Sequence, residues 1–176
     1  MKRSMTIFFS ATLLALSSTV AWAKAIGDAN LGDKVDRTSL VGLNCKTSGI
    51  TSPMTCTVHQ ENSMKALAVL QPSDDTSVLF MTAVMLETYF EGGTFDQETA
   101  TRTVREMKQG LIDELMTSQG YTIRSVDGDN IVHLSGKYNV QCWGRTSTGT
   151  APSLLVGGKK GYFKVGCSIK EGQTLL

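Results

Sequence analysis

The sequence predicts an α+β fold in which an antiparallel sheet, tied by disulfide-bonded hairpins, carries one or two helices on one face. Three observations predict it. Apolar residues recur at helical spacing in the middle of the chain. After residue 120 they alternate with polar residues, as they do in half-buried strands. Glycine, asparagine and aspartate cluster between the alternating segments, which is typical of hairpin turns.

The first 23 residues have the pattern of a cleavable signal peptide. Lys2 and Arg3 provide a basic start, and Ala21-Trp22-Ala23 provides a small-residue cleavage site. The apolar run between them is about ten residues long, well short of the roughly 20 that span a bilayer. We therefore expect export to the periplasm or beyond, cleavage after Ala23, and no membrane span in the mature chain.

The charge of the chain argues against one class of partner. There are 17 basic and 16 acidic residues, and loss of Lys2 and Arg3 with the signal peptide leaves the two signs almost balanced. A near-neutral domain has no strong basic field to attract nucleic acid and no polybasic patch for a membrane surface. We expect no nucleic acid among its partners.

The mature chain begins with a polar segment. Residues 24–38 carry two Gly-Asp pairs and are expected to form an exposed or loosely packed lead-in. A single domain is expected over 39–176. Its first strands are predicted over 39–46 and 55–60, around a loop rich in threonine, serine and glycine. A third strand is predicted over 66–70, before a Gln-Pro-Ser break.

The segment 78–90 fits two structures. Its apolar residues include a set at helical spacing, which favours a buried helix: Leu79, Ala83, Leu86 and Phe90. A buried strand over 77–81 also fits, because periodicity does not distinguish helix from strand when every side is apolar. We expect the helix.

The next segment predicts an amphipathic helix. Thr94 and Gln97 have the spacing of a capping box, and Gly120 stands where a glycine ends a helix. The apolar stripe between them consists of Ala100, Val104, Met107, Leu111, Leu115 and Met116. Such a stripe on a helix packs against the core of the fold.

A change to a period of two predicts a meander of strands after the helix. A hairpin is expected from residues 121–126 and 131–135, joined by the turn Asp127-Gly128-Asp129-Asn130. The remaining strands are expected over 137–145 and 162–169, with a short extra strand over 153–156 and turn-rich links at 146–152 and 157–161.

Four cysteines in an exported chain predict two disulfides. Four cysteines allow three pairings, but each one here shares its parity with apolar neighbours in its strand and should face the core. We expect Cys45–Cys56 and Cys142–Cys167, each tying two strands of a hairpin. No C-x-x-C occurs and no histidine stands at ligand spacing, so neither a zinc site nor a thioredoxin-like site is expected.

No catalytic or cofactor motif stands out. H-E-x-x-H and G-x-S-x-G are absent, and the glycine-rich run 157–161 lacks the spacing of a phosphate loop. His133, Ser135 and Asp127 provide the residue types of a triad, but spatial geometry defines a triad. We expect no metal and no cofactor. A small hydrolase of unfamiliar type that uses His133 stays open as an alternative.

The most suggestive residues alternate along the predicted strand 137–145. If its cysteine faces the core, then Asn139, Gln141, Trp143 and Arg145 lie on the opposite face. Tryptophan and arginine are enriched in binding hot spots. The alternative is that another part of the chain covers these residues, in which case Trp143 belongs to a second small core.

These residues lead to a first hypothesis, a non-enzymatic exported protein that binds another envelope or secreted protein. It would be an accessory subunit of an envelope assembly, or an inhibitor or immunity-type protein. A second hypothesis is a module that holds a small apolar ligand between the sheet and a methionine-rich helical layer. That layer would include Met81, Met85, Met107 and Met116.

Overall fold

The computed structural model describes residues 29–61, 64–74, 77–91, 97–128, 130–152 and 159–170. Several expectations fall outside the described residues. They are the signal peptide over 1–23, the start of the lead-in over 24–28, the capping residue Thr94 and the short strand over 153–156.

Nine strands, one α-helix and a 3-10 turn over Arg37–Leu40 make up the described part. The elements are β1 Lys34–Asp36, β2 Asn44–Thr47, β3 Met54–Glu61, β4 Met64–Pro72, β5 Val78–Glu91, α1 Gln97–Gln119, β6 Thr122–Asp127, β7 Ile131–Ser135, β8 Asn139–Pro152 and β9 Lys159–Ile169. All strand pairs are antiparallel and form one sheet in the order β2-β3-β4-β5-β9-β8-β7-β6, with β1 beside the first residues of β5. The predicted α+β architecture is confirmed, with one helix in the described part.

The expected helix over 78–90 is wrong, because this segment forms β5 at the centre of the sheet. β4 lies along one edge of β5, and β1 and β9 share the other. The register with β4 shifts by one residue at Thr82, so Leu79 and Met81 before the bulge face the same core as Val84 and Leu86 after it. A bulge breaks the period of two, and between Leu79 and Val84 nearly all residues of both faces are buried and apolar, which hides the alternation that would reveal a strand.

The predicted amphipathic helix is confirmed as α1, which packs against β8 and β9. The helix approaches β8 closely at Gly144, where a Cβ atom would stand 2.5 Å from Cγ1 of Val104. Gly120 ends the helix with a φ of 67°, and the Tyr121 N–H then donates to the Leu115 carbonyl at 3.3 Å. The buried side chains of α1 are Ala100, Val104, Lys108, Leu111, Ile112 and Leu115.

The N-terminal segment packs more tightly than its sequence suggested. Leu31 and Val35 are 2% and 3% exposed, and β1 pairs with β5. The Leu31 N–H also donates to Oε1 of Gln119 at 3.2 Å, which ties the segment to the end of α1. The expectation of an exposed or loosely packed lead-in is therefore wrong for residues 29–38. A strand of three residues with one buried side chain is too short to show alternation.

Both expected disulfides are present. Cys45 lies opposite Cys56 on β2 and β3, and Cys142 lies opposite Cys167 on β8 and β9. The second pair is at most 1% exposed and lies on the sheet face that α1 covers, whereas Cys45 is partly exposed. Two disulfides are typical of a chain that folds in an oxidising compartment.

The C-terminal meander is confirmed, with longer strands than expected. β6 and β7 form the predicted hairpin, with Gly128 at a φ of 58° in its turn. β8 continues through 146–152, which the sequence suggested as a turn-rich link. At the other end of the chain, the predicted strand over 39–46 begins only at Asn44, after the 3-10 turn. Within the described residues, no helix has the length and apolar character needed to cross a membrane.

Candidate functional site

The sheet presents a second face at β5, β8 and β9, opposite the face that α1 covers. An open cavity of about 500 Å³ lies over it, and its described lining comes from these three strands alone. We call this surface the open face. Its residues are Met85, Glu87 and Tyr89 on β5, Trp143 and Arg145 on β8, and Tyr162 and Lys164 on β9.

Trp143 is held in place by its neighbours on the open face. It lies directly opposite Gly166, whose missing side chain leaves room for the indole. A Cβ atom at Gly166 would stand 2.8 Å from Cζ2 of Trp143 and 2.9 Å from Cγ of Met85. The guanidinium carbon of Arg145 is 5.4 Å from the ring centroid, within cation–π range. The indole is therefore fixed in position while it stays partly exposed.

A polar group borders the indole. Glu87 and Lys164 lie opposite each other on β5 and β9 and form an ion pair. The hydroxyl of Tyr89 donates to Oε2 of Glu87 at 3.2 Å. Burial and the neighbouring Glu87 carboxylate both raise the pKa of Tyr89. Tyr89 is therefore a neutral hydrogen-bonding group at physiological pH, and its phenolate is not available as a nucleophile or base.

Three of the four residues singled out in the sequence line cavities on this side of the sheet. Trp143 and Arg145 belong to the open face, and with Gln141 they also line an adjoining cavity of about 680 Å³. Gln141 lies opposite Ser168 on β9. Asn139 begins β8 opposite Ser135 and is not among the described lining residues of either cavity.

The residues that β5 and β9 contribute to the open face were not predicted from the sequence. The expected helix over 78–90 placed Met85, Glu87 and Tyr89 on different sides, although they alternate regularly after the bulge at Thr82. The contribution of β9 depends on strand order, which places Lys164 between β5 and β8. Local alternation could have found the first set, and only the sheet topology reveals the second.

The described residues lend no support to the hydrolase. His133 lies on β7, and its Nδ1 is buried without a hydrogen-bond partner in this part of the chain. A catalytic triad needs an acid that orients the imidazole. Asp127 is exposed at the end of β6. The described ranges also contain no group of three or more histidine, cysteine, aspartate or glutamate side chains that could hold a metal ion.

The methionine-rich helical layer, on which the apolar-ligand hypothesis depends, does not form as expected. Met81 and Met85 belong to β5, and Met85 points to the open face, away from α1. Met116 lies on α1 but is 37% exposed. Only Met107 packs partly against the core from the helix. The methionines therefore occupy three different environments.

Comparisons of the chain with protein-family models, with curated proteins and with solved structures find no match.

Proposed function

We propose that this is an exported, non-enzymatic protein that binds another secreted or envelope protein through the open face. The observation that carries the proposal is the setting of Trp143. Its indole is fixed over Gly166 and beside Met85, yet it stays partly exposed in an open cavity. A rigid, amphipathic aromatic side chain beside an arginine is the composition of an interaction hot spot.

The rigidity of the open face favours binding. Its residues lie on three central, hydrogen-bonded strands, and the Cys142–Cys167 disulfide joins two of these strands directly behind Trp143 and Gly166. Side chains that are already fixed lose little conformational entropy when a partner docks. A surface of this kind supports specific recognition.

The charges of the open face indicate what the partner must supply. The carboxylate of Glu87 is already used by Lys164 and by the Tyr89 hydroxyl. Arg145, in contrast, makes no ion pair with any described residue. We expect the partner to place a carboxylate or a carbonyl oxygen near Arg145 and an apolar group against Trp143.

Export is supported by two independent features. The basic, apolar and small-residue regions of the first 23 residues follow the order of a signal peptide. The two disulfides suit an oxidising environment such as the periplasm or the extracellular space. An accessory subunit of an envelope assembly and an inhibitor or immunity-type protein both fit this location.

Partner capture from the native host tests the proposal. The tagged chain is expressed with its own signal peptide, crosslinked in cells and purified, and the captured proteins are quantified for the wild type and Trp143→Ala. Val126→Ala is the matched control, because Val126 is 63% exposed on the edge strand β6, away from the open face. The mature mass also reports whether the chain is cleaved after Ala23.

We expect one dominant partner that is retained by Val126→Ala and lost by Trp143→Ala, with the fold intact by circular dichroism. A partner of fixed stoichiometry that loses activity on binding would identify an inhibitor. Co-fractionation with an envelope complex would identify an accessory subunit. Equal capture by the two variants would refute the open face as the binding surface.

A further inference from the structure

A separate cavity lies on the helix side of β8, near the start of α1. Its volume is about 440 Å³, which is within the usual range for small-ligand sites of roughly 300–1,000 Å³. The helix contributes Thr101, Val104, Arg105 and Lys108, which recur on one side of α1 at spacings of three and four residues. Gly144 also lines the cavity, at a place where the strand and the helix lie close together.

Positive charge is concentrated around this cavity. Arg105 and Lys108 line it from the helix, and Arg145 lines it from β8. No acidic residue is present among its described lining residues. Three cations that line one cavity make it a favourable place for a negatively charged ligand. The concentration is notable in a chain with 17 basic and 16 acidic residues.

Lys108 has an unusual position. It is 6% exposed, and it is the one charged side chain in the buried class among the described residues. It also occupies a place in the buried stripe of α1, between Val104 and Leu111, where an apolar residue would pack without an electrostatic cost. Burial of an ammonium group is costly unless opposite charge or hydrogen-bond acceptors accompany it. Lys108 also lines this cavity and brings a positive charge to it from the buried side of the helix.

Neutral hydrogen-bond donors complete the lining. The Thr146 hydroxyl is buried and has no hydrogen-bond partner within the described part of the chain. Buried polar atoms are nearly always hydrogen-bonded in folded proteins, so an unpaired hydroxyl at a cavity suggests a ligand or water. Asn130 adds an amide from the turn between β6 and β7.

We propose that this cavity binds a small, multiply charged anion that carries phosphate or carboxylate groups. The planar guanidinium groups of Arg105 and Arg145 can each present two N–H donors to an oxyanion. Lys108 supplies a positive charge at the buried end, and the Thr146 hydroxyl supplies a further donor. Arg145 and Tyr162 line both this cavity and the open face, so the two proposed sites share these side chains, whereas Arg105 and Lys108 line this cavity and not the open face.

Calorimetric titration of the mature chain with pyrophosphate and with citrate at physiological salt tests the proposal. We expect saturable binding with one site per chain. Arg105→Gln should weaken it about tenfold or more, because it removes a charge-assisted contact. Arg102→Gln is the matched control, since it removes the same charge from α1 at an exposed residue that does not line the cavity. This control should bind as the wild type does.

The two probes distinguish the source of the anion. Tighter binding of pyrophosphate would identify a phosphate-bearing ligand, and tighter binding of citrate would identify a carboxylate-bearing one. The proposal is refuted if neither probe shows saturable binding, or if Arg105→Gln binds as the wild type does. An equal loss in Arg102→Gln and Arg105→Gln would also refute it, because it would indicate general attraction to the helix. None of these results depends on partner capture through Trp143.

Discussion

Trp143 and Gly166 lie opposite each other on two neighbouring strands, and the indole occupies the space that a side chain at residue 166 would need. A Cβ atom there would be 2.8 Å from the ring, a distance that real Cβ atoms do not tolerate. The glycine is thus a steric condition for the tryptophan to lie against the sheet. This relationship connects the fold to the open face, because a larger side chain at residue 166 on β9 would displace the indole of Trp143 on β8.

Gly166→Ala should therefore displace the indole without removing it. We expect the free energy of unfolding to fall by about 1–3 kcal/mol, as in other overpacked sites. The tryptophan emission should shift to longer wavelength because the ring moves into water. The sequence has two tryptophans, Trp22 and Trp143, so a chain that starts at Lys24 reports Trp143 alone. An unchanged spectrum and unchanged denaturation curve would contradict the steric account.

Gly144 and Val104 provide a second packing test, on the helix side of the sheet. Gly144→Ala should destabilise the protein by about 1–3 kcal/mol, because the new Cβ atom would lie 2.5 Å from Cγ1 of Val104. Val104→Ala removes that methyl group, so the double variant should lose less stability than the sum of the two single losses. Urea denaturation of all four proteins measures the coupling. Simple additivity would show that the helix does not rest on Gly144.

The two disulfides should differ in their accessibility to reductant. Cys142 and Cys167 are at most 1% exposed on the helix side of the sheet, whereas Cys45 is partly exposed near the edge of the sheet. Under native conditions we expect Cys45–Cys56 to be reduced first, and Cys142–Cys167 only when the protein opens. Timed alkylation and peptide mass mapping would show the order. The reverse order would be inconsistent with the packing of α1.

Removal of each disulfide tests its contribution to stability. Replacing both cysteines of either pair by alanine should lower the free energy of unfolding by about 2–4 kcal/mol. The loss of Cys142–Cys167 should also reduce binding to the partner, because that bond joins the strands that carry Trp143 and Lys164. Loss of Cys45–Cys56 should leave partner binding unchanged in the folded protein. Chemical denaturation and quantitative capture measure the two effects.

The raised pKa of Tyr121 predicts that the protein loses stability at alkaline pH. Burial is the largest cause of the shift and raises its pKa above the ordinary value of 10.0. The unfolded chain therefore deprotonates first, so the stability is fully present below pH 10 and is lost as the pH rises through the folded-state pKa. Tyr89 has a raised pKa too and acts in the same direction.

Tyr121→Phe should reduce this alkaline loss and leave stability at neutral pH within about 1 kcal/mol of the wild type. The ring itself must remain, because it packs against Gly136, where a Cβ atom would lie 2.6 Å from Cδ1 of Tyr121. Melting temperatures between pH 7 and pH 11 provide the comparison. If Tyr121→Phe loses stability above pH 10 as steeply as the wild type does, groups other than Tyr121 cause the alkaline loss of stability.

The elements that could be predicted from the sequence are those whose local residue pattern agrees with the structure that the segment adopts in the whole fold. The apolar stripe of α1 is followed by Gly120 just after the helix ends, and a short turn at 127–130 joins β6 to β7, so each signal is contained in a short segment. The cysteine pairing was predictable for the same reason, since each cysteine lies on the apolar side of its strand. Residues 29–38 and β5 were not, because short strands, bulges and burial on both faces all erase alternation.

The candidate site was predictable only in part. The alternation of β8 places Gln141, Trp143 and Arg145 on the side opposite Cys142, and the structure has them there. The neighbours of Trp143 could not be deduced, because strand order and register, rather than local pattern, place β9 beside β8 and β5 beyond β9. Lys108 was missed because lysine is usually exposed, so its residue type gives no sign that this side chain is buried.

Site-specific photocrosslinking in the native host tests directly whether a partner binds the open face. A photoreactive amino acid replaces Tyr89 on the open face or Met116 on the outer side of α1. These two residues are similarly exposed, at 43% and 37%. If the partner binds the open face, residue 89 should form a covalent adduct with one exported protein and residue 116 should form none. An adduct from residue 116 alone, equal adducts from both, or none from either would contradict binding through the open face.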